Sequence, residues 1–335
     1  MRLAVTPTFS ERHPERYIEI AQRAEQLGYH SIWSGEAYGS DAIVPLAAVA
    51  THTQRLQLGT GIMQMAARTP AMTAMTAATL DALSGGRVLL GLGVSGPQVV
   101  EGWHGRPYTP PAATTREYVA VVRQILRREG PVEFHGSVID VPYTREDALG
   151  LGKPLKLGLH PRPGIPIYLA AIGPRNVRLA TEIADGFLPI LWSPTGWQRV
   201  FGEALAGADL TRFDVAASVR VVVGDDIEAC RDAVRPFLAL YIGGMGSQDR
   251  NFYNDLARRL GYEAAAVKVQ DLYLTGKVRE AAAAIPDALI DDVALVGPGG
   301  RIADRLEAWK ASPVTTLNVL SNRPDDLELI AKICA

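Results

Sequence analysis

The feature that most constrains the fold is a regular alternation between short apolar runs and stretches with helical periodicity. After the run LAVTP (3–7), apolar residues recur at helical spacing as far as Leu27, Gly28 ends the helix, and SIWSG (31–35) resumes a strand. The same reasoning along the chain predicts strands at residues 3–7, 31–35, 56–62, 87–93, 165–171, 186–191, 215–223 and 314–320.

Strands that alternate with helices form parallel βαβ units, and eight such units close naturally into a barrel. The sequence therefore predicts an α/β fold, a (β/α)8 TIM barrel with insertions. An open doubly wound sheet is the competing architecture, but it needs fewer strands or a switch point, and neither is visible. The run VALVG (293–297) could be a ninth strand, and we interpret it as a connection into an amphipathic helix at 300–311.

Two segments interrupt the alternation. Residues 131–165 are irregular and rich in Pro and Gly, with a possible small hairpin in VEFHGSVIDV, and residues 243–290 form a helical insertion of low strand content. Because loops and insertions vary most within a fold, these segments and the loop at 97–111 are expected to determine the substrate.

Composition excludes several classes of protein. The formal net charge is −2 without a basic or acidic tail, so we expect no nucleic-acid partner. Cys230 and Cys334 cannot build a disulfide framework. The N-terminus lacks the apolar region of a signal peptide, and no apolar window is long enough to span a membrane. We therefore expect a cytoplasmic protein without membrane contact.

The segment Gly91–Gly96 formally matches the GxGxxG dinucleotide fingerprint. That fingerprint requires a helix directly after the glycines, whereas the sequence PQVVEGWHGRPYTPPAATT that follows is broken by Gly and Pro. A Rossmann-type NAD site is therefore not expected. Loop glycines that let a planar ring approach the backbone remain an alternative.

The segment GTGIMQMAARTP (59–70) places two glycines within and at the end of a strand. Glycines weaken a strand and usually mark a bulge or the close approach of a ligand. The alternative is that these glycines lie at a barrel corner that merely needs small residues.

In AAIGPRN (170–176) a strand runs into Gly173-Pro174, and a helix follows at once. Exposed N–H groups and the positive end of the helix make such a turn an anion site, and Arg175 would add a charged donor. An ordinary βα turn is the alternative.

The segment SGEAYGSD (34–41) places Glu36, Tyr38 and Asp41 at the end of the second strand. These side chains can transfer protons or stack on a ring. The alternative is that they are solvated loop residues.

Several of these segments together resemble the luciferase-like monooxygenase superfamily. GTGIMQ, SGGRVLLGLG and AAIGPRNVRLATEIADGF carry a resemblance that covers essentially the whole length, and EAYGSD, ARTPAMTAMTAATLD, GVSGPQVVEGWHG and IPIYLAAIGP are similar to its F420-dependent branch. FMN-dependent relatives share the barrel and several turns. The resemblance implies a single luciferase-like barrel domain over 1–335 that binds F420, with FMN as the alternative.

The resemblance also implies roles for individual residues. The family often has a non-prolyl cis peptide at the position of Gly61-Ile62, where a bulge presses on one face of the tricyclic ring. The loop Val94–Gly96 matches the segment that contacts the polar edge or tail of the cofactor, and Ala171–Arg175 matches the phosphate-binding turn. The cofactor-binding residues expected on this basis are Ala37, Tyr38, Thr60, Gly61, Ile62, Met63, Gln64, Val94, Ser95, Gly96, Ala171, Ile172, Gly173, Pro174 and Arg175.

The sequence departs from the sugar-phosphate dehydrogenase relatives at two positions. Glu36 stands where those relatives have a His, and Gly96 stands where they have a Glu, so sugar-phosphate oxidation is not expected. Glu36 is then the expected catalytic acid–base group, while Trp103 and His104 are expected to line the substrate pocket. The histidines show no ligand spacing, so no catalytic metal is predicted.

The expected function is hydride transfer between F420 and a small alcohol or ketone, an activated alkene or a pterin-like C1 carrier. The alternatives are an FMN-dependent monooxygenase working with a flavin reductase and a non-catalytic flavin-binding protein. Relatives commonly pair through barrel helices, so a homodimer or higher homo-oligomer is expected, with the apolar helices at 44–52 and 70–83 as candidate faces.

Overall fold

The computed structural model of the chain describes residues 1–162 and 164–335. Its strands are β1 (Arg2–Val5), β2 (Ser31–Ser34), β3 (Gln57–Thr60), β4 (Met63–Gln64), β5 (Val88–Gly93), β6 (Phe134–His135), β7 (Asp140–Val141), β8 (Ile167–Leu169), β9 (Gly186–Phe187), β10 (Asp214–Val223), β11 (Ala294–Gly297) and β12 (Thr316–Leu320).

Helices follow most of the strands. They are α1 (Glu15–Gln26), α2 (Ile43–His52), α3 (Pro70–Leu83), α4 (Pro97–Gly102), α5 (Pro111–Arg127), α6 (Pro174–Ile183), α7 (Glu203–Leu205), α8 (Ile227–Ala239), α9 (Phe252–Arg259), α10 (Glu263–Leu274), α11 (Val278–Ala283), α12 (Asp287–Val293), α13 (Gly299–Lys310) and α14 (Pro324–Cys334). Within the described ranges, no helix combines the length and apolarity needed to cross a lipid bilayer.

The strands close into a parallel barrel. β1 lies between β12 and β2, the ladder continues through β3, β5, β8 and β9, and β10 closes the ring by pairing with both β9 and β12. β4 continues the line of β3 and pairs with β5. The predicted (β/α)8 barrel is confirmed, and the open-sheet alternative is wrong.

The run at 293–297 is not the connection that the sequence suggested. Ala294–Gly297 forms β11, which pairs in parallel with Arg220–Val223 of β10. The ten-residue β10 extends past the short β9, so its free edge accepts an additional strand there. That edge arises from the unequal lengths of two distant strands, which local periodicity does not reveal.

The segment after Gly96 also differs from expectation. Helix α4 begins directly at Pro97, where we expected no helix after the glycines. Proline suits the first position of a helix because its fixed φ is already helical and no partner is needed for a missing N–H. A Rossmann site is nonetheless excluded by the architecture, because the glycines lie on a strand of a closed barrel.

Both interruptions of the repeat have the predicted character. In the first, Phe134 pairs with Val141 and His135 with Asp140 in a small antiparallel hairpin. In the second, helices α9 to α12 follow one another before β11. These segments add to the barrel without contributing a strand to its closure.

The interior of the barrel is filled by side chains. Trp33 packs edge-on against Tyr168 with ring centroids 5.1 Å apart, and its indole N–H donates to Ser31 Oγ at 3.0 Å. Leu89 and Leu188 complete this inner cluster. A ligand can therefore reach the barrel only above this plug, at the carboxyl ends of the strands.

Glycine lets two barrel strands approach closely beside the plug. A Cβ atom at Gly91 would stand 1.8 Å from the carbonyl oxygen of Thr60 on β3. The hydroxyl of Thr60 donates to Gly91 O at 2.7 Å, and Gly91 N–H donates back to the Thr60 hydroxyl at 2.8 Å. Only glycine fits at this contact.

Replacing Gly91 with alanine should therefore lower the free energy of unfolding by about 3 kcal/mol or more, because the backbone must shift to relieve the clash. Gly300→Ala is the matched control, since a Cβ atom there meets no atom within 4 Å; it should be neutral or stabilise by about 0.5 kcal/mol. Urea unfolding of both variants tests the prediction, and equal stabilities would contradict it.

An apolar surface patch lies on α2 and α3. Val44, Met72, Met75 and Leu83 are 70%, 51%, 49% and 62% exposed, respectively. Exposed apolar side chains that cluster on neighbouring helices are typical of protein–protein contacts. The predicted homo-oligomer would bury this patch, on the two helices that the sequence analysis proposed.

The double variant Met72→Glu/Met75→Glu should then be monomeric under conditions where the wild-type protein associates, because charges would be buried in the contact. Light scattering after size-exclusion chromatography measures the mass. Val267→Glu, at an exposed apolar residue of α10, should leave the mass unchanged. A monomeric wild-type protein would refute the prediction.

Candidate active site

A ledge of backbone lies at the mouth of the barrel between β3 and β4. Gly61 lies against Trp33, with a hypothetical Cβ 3.2 Å from Trp33 Cβ, and the next residue, Ile62, also packs onto the inner cluster. Two consecutive residues on the same face define a bulge in the strand. The Gly61-Ile62 peptide bond is cis, as the resemblance implied.

Hydrogen bonds from β2 hold this ledge in place. Gly61 N–H donates to Ser34 O at 2.7 Å, and the N–H of Glu36 donates to Ile62 O at 3.2 Å. The N–H of Gly61 and the carbonyl oxygen of Ile62 are thus both hydrogen-bonded on the side of β2. The opposite side is free to meet a ligand, since Gly61 has no side chain and is exposed.

The carboxylate of Glu36 is bound on both oxygens. Oε1 accepts from Gln64 N–H at 2.9 Å and from Arg68 Nη1 at 2.5 Å, and Oε2 accepts from Ala42 N–H at 3.2 Å. Arg68 also pairs with Asp41. These contacts join the ends of β2 and β4 to the start of α2.

This arrangement gives Glu36 a positioning role. Its side chain is only 7% exposed, and that of Arg68 is 17% exposed. Burial alone would lower the pKa of the Arg68 guanidinium, but Glu36 and Asp41 more than offset this and raise the pKa. Arg68 therefore remains a cation beside Glu36. Acid–base catalysis by Glu36 stays a prediction, although the fold already occupies both of its oxygens.

A second set of predicted residues supports the neighbouring loops. The amide of Gln64 donates to Ala37 O at 2.7 Å and accepts from the Ser95 hydroxyl at 2.6 Å. Gln64 and Thr60 are each 1% exposed, so their side chains brace the site without reaching a ligand. Ser95 adopts a left-handed φ of 61°, which turns the chain above β5.

Met63 is a correction to the predicted set. Its side chain is fully buried in the outer core, where its sulfur accepts from the Thr73 hydroxyl of α3 at 3.6 Å. The bulge explains this placement, because it puts Gly61 and Ile62 on the inner face and sends the next side chain outward. The Met63 side chain therefore cannot contact a cofactor at the mouth.

The turn at Ala171–Arg175 has the predicted anion-site geometry. Helix α6 begins after Gly173, which caps it without a side chain, and a Cβ atom there would meet no atom within 4 Å. Asn176 N–H and Val177 N–H both turn back to Gly173 O at 3.0 Å. The N–H of Arg175 is left facing the open end, and its side chain is exposed. Pro174 contributes no donor.

An arginine from the second insertion also reaches this turn. Arg259 of α9 donates through Nη2 to Ile172 O at 3.1 Å, while its Nη1 is buried and has no partner among the described residues. No pattern in the sequence indicates that an insertion residue meets the β8–α6 turn. An anion bound at Gly173 would complete the hydrogen bonds of this guanidinium.

The ledge lies beside the segment that leads into the turn. A Cβ atom at Gly93 would stand 2.7 Å from Ile62 Cδ1 and 3.6 Å from Ala170 Cβ. Gly93 thus makes room for Ile62 and brings it beside the strand that leads into the turn. A planar group on the ledge and a phosphate at the turn could belong to one molecule.

The remaining predicted residues lie in the segments that follow β2 and β5. Tyr38 is 57% exposed and donates to the sulfur of Met245, 3.9 Å away, and Trp103 is 65% exposed. His104 has a buried Nε2 without a partner. Val94 packs partly against the core and Gly96 caps α4. Their roles in binding stay predictions.

A polar chain inside the mouth was missed by the sequence analysis. The Thr6 hydroxyl donates to Asn318 Oδ1 at 2.9 Å, and Asn318 Nδ2 donates to Ser218 Oγ at 3.2 Å. Because Ser218 accepts in this chain, its own hydroxyl proton is free for another acceptor. The available signal was a polar residue between apolar neighbours in each strand, Asn318 in TTLNVL and Ser218 in VAASVRVVV.

Comparison with known sequences agrees with this geometry. The profile of the family described as luciferase-like monooxygenase matches residues 2–316, so the chain belongs to that family.

One relative is similar over almost the whole chain. A protein of Mycobacterium tuberculosis (strain ATCC 25618 / H37Rv), provisionally named a coenzyme F420-dependent oxidoreductase, is 45% identical over 328 residues, which cover 96% of this chain and 94% of the relative.

Two solved structures share the fold over 99% of this chain and 97% of their own. They are the coenzyme F420-dependent tetrahydromethanopterin reductase of Methanopyrus kandleri, with a TM-score of 0.79 and 23% identity, and an F420-dependent secondary alcohol dehydrogenase in complex with an F420–acetone adduct, with a TM-score of 0.77 and 19% identity.

Arg68→Met should lower the free energy of unfolding by about 3 kcal/mol or more, because it leaves the buried Glu36 carboxylate without its cation. The matched control is Arg116→Met, which removes an ion pair whose side chains are 56% and 47% exposed and should cost less than about 1 kcal/mol. Denaturant unfolding compares the two, and similar losses would show that Glu36 does not need Arg68.

Proposed function

We propose that this protein is an F420-dependent oxidoreductase that transfers a hydride between the deazaflavin and a small organic substrate. The observation that carries the proposal is that the Gly61-Ile62 ledge lies beside the segment that leads into the N-terminus of α6. The ledge would suit a planar ring, and the helix end would suit its attached phosphate. The names of the 45% identical relative and of the two similar structures support F420 as the cofactor.

The residues present fit such a group at both ends. Gly61 offers bare backbone to a ring face, and Ile62 supports it from the inner cluster. At the other end, Arg175 N–H and the unpartnered Nη1 of Arg259 supply donors for a phosphate. When bound, a deazaflavin would supply two-electron hydride chemistry.

The protein's own task is to position the substrate and exclude water. The plug around Trp33 closes the barrel below the ledge, so water can enter only from the mouth. Ser218 offers an oriented hydroxyl proton to an oxygen of the substrate. The proposed substrates are a small alcohol or ketone, an activated alkene or a pterin-like C1 carrier. The first and last of these classes agree with the names of the similar structures.

The FMN-dependent monooxygenase is the second candidate. The matched family is described as a monooxygenase family, and the α6 turn suits the phosphate of FMN as well. A non-catalytic flavin-binding protein would differ from both by binding a cofactor without exchanging hydride. Titration with each cofactor separates the first two functions, and an assay of hydride exchange separates the third.

Purified protein titrated with F420 should quench the cofactor's fluorescence with a saturable curve and bind FMN more weakly. Gly173→Asp should weaken F420 binding by about tenfold, because its carboxylate would stand at the helix end that receives the phosphate. The matched control Gly173→Asn has nearly the same shape without the charge. Both side chains are good N-caps, so neither variant should unfold more easily.

Stronger binding of FMN than of F420 would exclude the proposed cofactor. Equal affinities of the Asp and Asn variants would remove the phosphate from the α6 turn. Cofactor binding without bleaching by any alcohol, or without reduction of any ketone or alkene, would favour the non-catalytic alternative.

A further inference from the structure

Arg220 lies in the inward row of β10. Residues of a strand alternate between its two faces, and Ala216 packs on the inner cluster while Ser218 accepts a hydrogen bond from Asn318 inside the mouth. Arg220 is two residues further along the same face. It therefore extends the inward row toward the rim, beyond the polar chain.

The guanidinium of Arg220 has no polar partner in the described ranges. It takes part in none of their hydrogen bonds, no carboxylate oxygen there lies within 4.0 Å, and its Nε is buried without a partner. Arg87 is an instructive contrast, because it is buried and donates five hydrogen bonds to Ser84, Thr53, Leu56 and Ala50, whereas Arg220 is half-buried. A structural arginine of this protein is thus fully satisfied, and Arg220 is not.

Aromatic rings surround Arg220 where polar partners are missing. Its guanidinium carbon lies 4.4 Å from the centroid of the Phe237 ring, which packs 4.6 Å from Tyr241. Burial raises the pKa of Tyr241, the cation of Arg220 opposes this rise, and Tyr38 adds to it. Arg220 is therefore on the side of the mouth where the predicted site residue Tyr38 lies.

Arg220 and Ser218 line one small gap, together with Phe237 of α8 and Leu320 at the end of β12. The gap has a volume of about 10 Å³, which is room for about one water molecule. The free hydroxyl proton of Ser218 and the guanidinium N–H groups are donors, and the facing side chains supply apolar walls. Burial lowers the pKa of Arg220, so its charge is held at a cost.

We propose that Ser218 and Arg220 bind a carboxylate of the substrate, so that the substrate is a carboxylic acid. A guanidinium donates two parallel hydrogen bonds to a carboxylate, and an anion offsets the cost of the unpaired charge. The inference rests on the proposed function, since it names the substrate class of the same site.

The cofactor phosphate is a poorer match for Arg220. The α6 turn follows β8, and β9 separates β8 from β10 in the barrel. That turn already has its own donors in Arg175 N–H and Arg259. Arg220 is therefore left for a second molecule at the mouth.

Benzoate and the neutral benzamide serve as matched probes in calorimetric titrations of the protein, with and without F420. Wild-type protein should bind benzoate more tightly than benzamide. Arg220→Gln should weaken benzoate binding by at least about tenfold and leave benzamide binding unchanged. The affinity of Arg220→Lys for benzoate should lie between those of the wild type and Arg220→Gln, because lysine keeps the charge without the bidentate geometry. Arg178→Gln, at an exposed arginine of α6, is the control and should bind benzoate as the wild type does.

Equal binding of benzoate and benzamide by the wild type, or of benzoate by wild type and Arg220→Gln, would overturn the inference. So would an Arg220→Gln variant that loses affinity for F420 and keeps it for benzoate. If Arg220→Gln does not fold, Ser218→Ala and Arg220→Lys must still lower the preference for benzoate. If the protein prefers benzoate but does not bind F420, the proposed function is excluded. The carboxylate site would then still be supported.

Discussion

The mouth of the barrel depends on the buried ion pair between Glu36 and Arg68. Two charges out of water are tolerated only when their remaining hydrogen-bonding positions are filled, and here backbone N–H groups of Gln64 and Ala42 fill them on the Glu36 side. Those donors belong to β4 and to the start of α2. The pair thus fixes the Gln64 end of the bulge that carries Gly61 and Ile62, while Ser34 of β2 holds the Gly61 end.

Much of the fold followed from the sequence because the information was local. Apolar runs and helical spacing lie within a few residues of one another, and their alternation was enough to predict the barrel. β11 was missed because its partner, Arg220–Val223, lies about 70 residues away, and the free edge that it covers exists only where β9 ends early. α4 was missed because the glycines and prolines after Gly96 were taken to break a helix, although proline readily begins one.

Backbone features of the candidate site are visible in the sequence, whereas the partners of its side chains are not. The ledge and the α6 turn needed glycines at strand ends, which the sequence displays. Met63 was misplaced because the bulge reverses the alternation of side chains after Ile62. Arg68, Arg259 and Arg220 were overlooked because their importance comes from distant partners, or from the lack of them, and no spacing within the sequence encodes either.

The length of β10 has a consequence for how this barrel can be modified. Chain 224–293 leaves from the end of β10 and returns through β11 to the same four residues, 220–223. Its two ends are therefore held together by a ladder outside the ring that closes the barrel. Segment 224–293 could therefore be shortened, lengthened or replaced by that of a relative while the eight strands of the barrel stay paired.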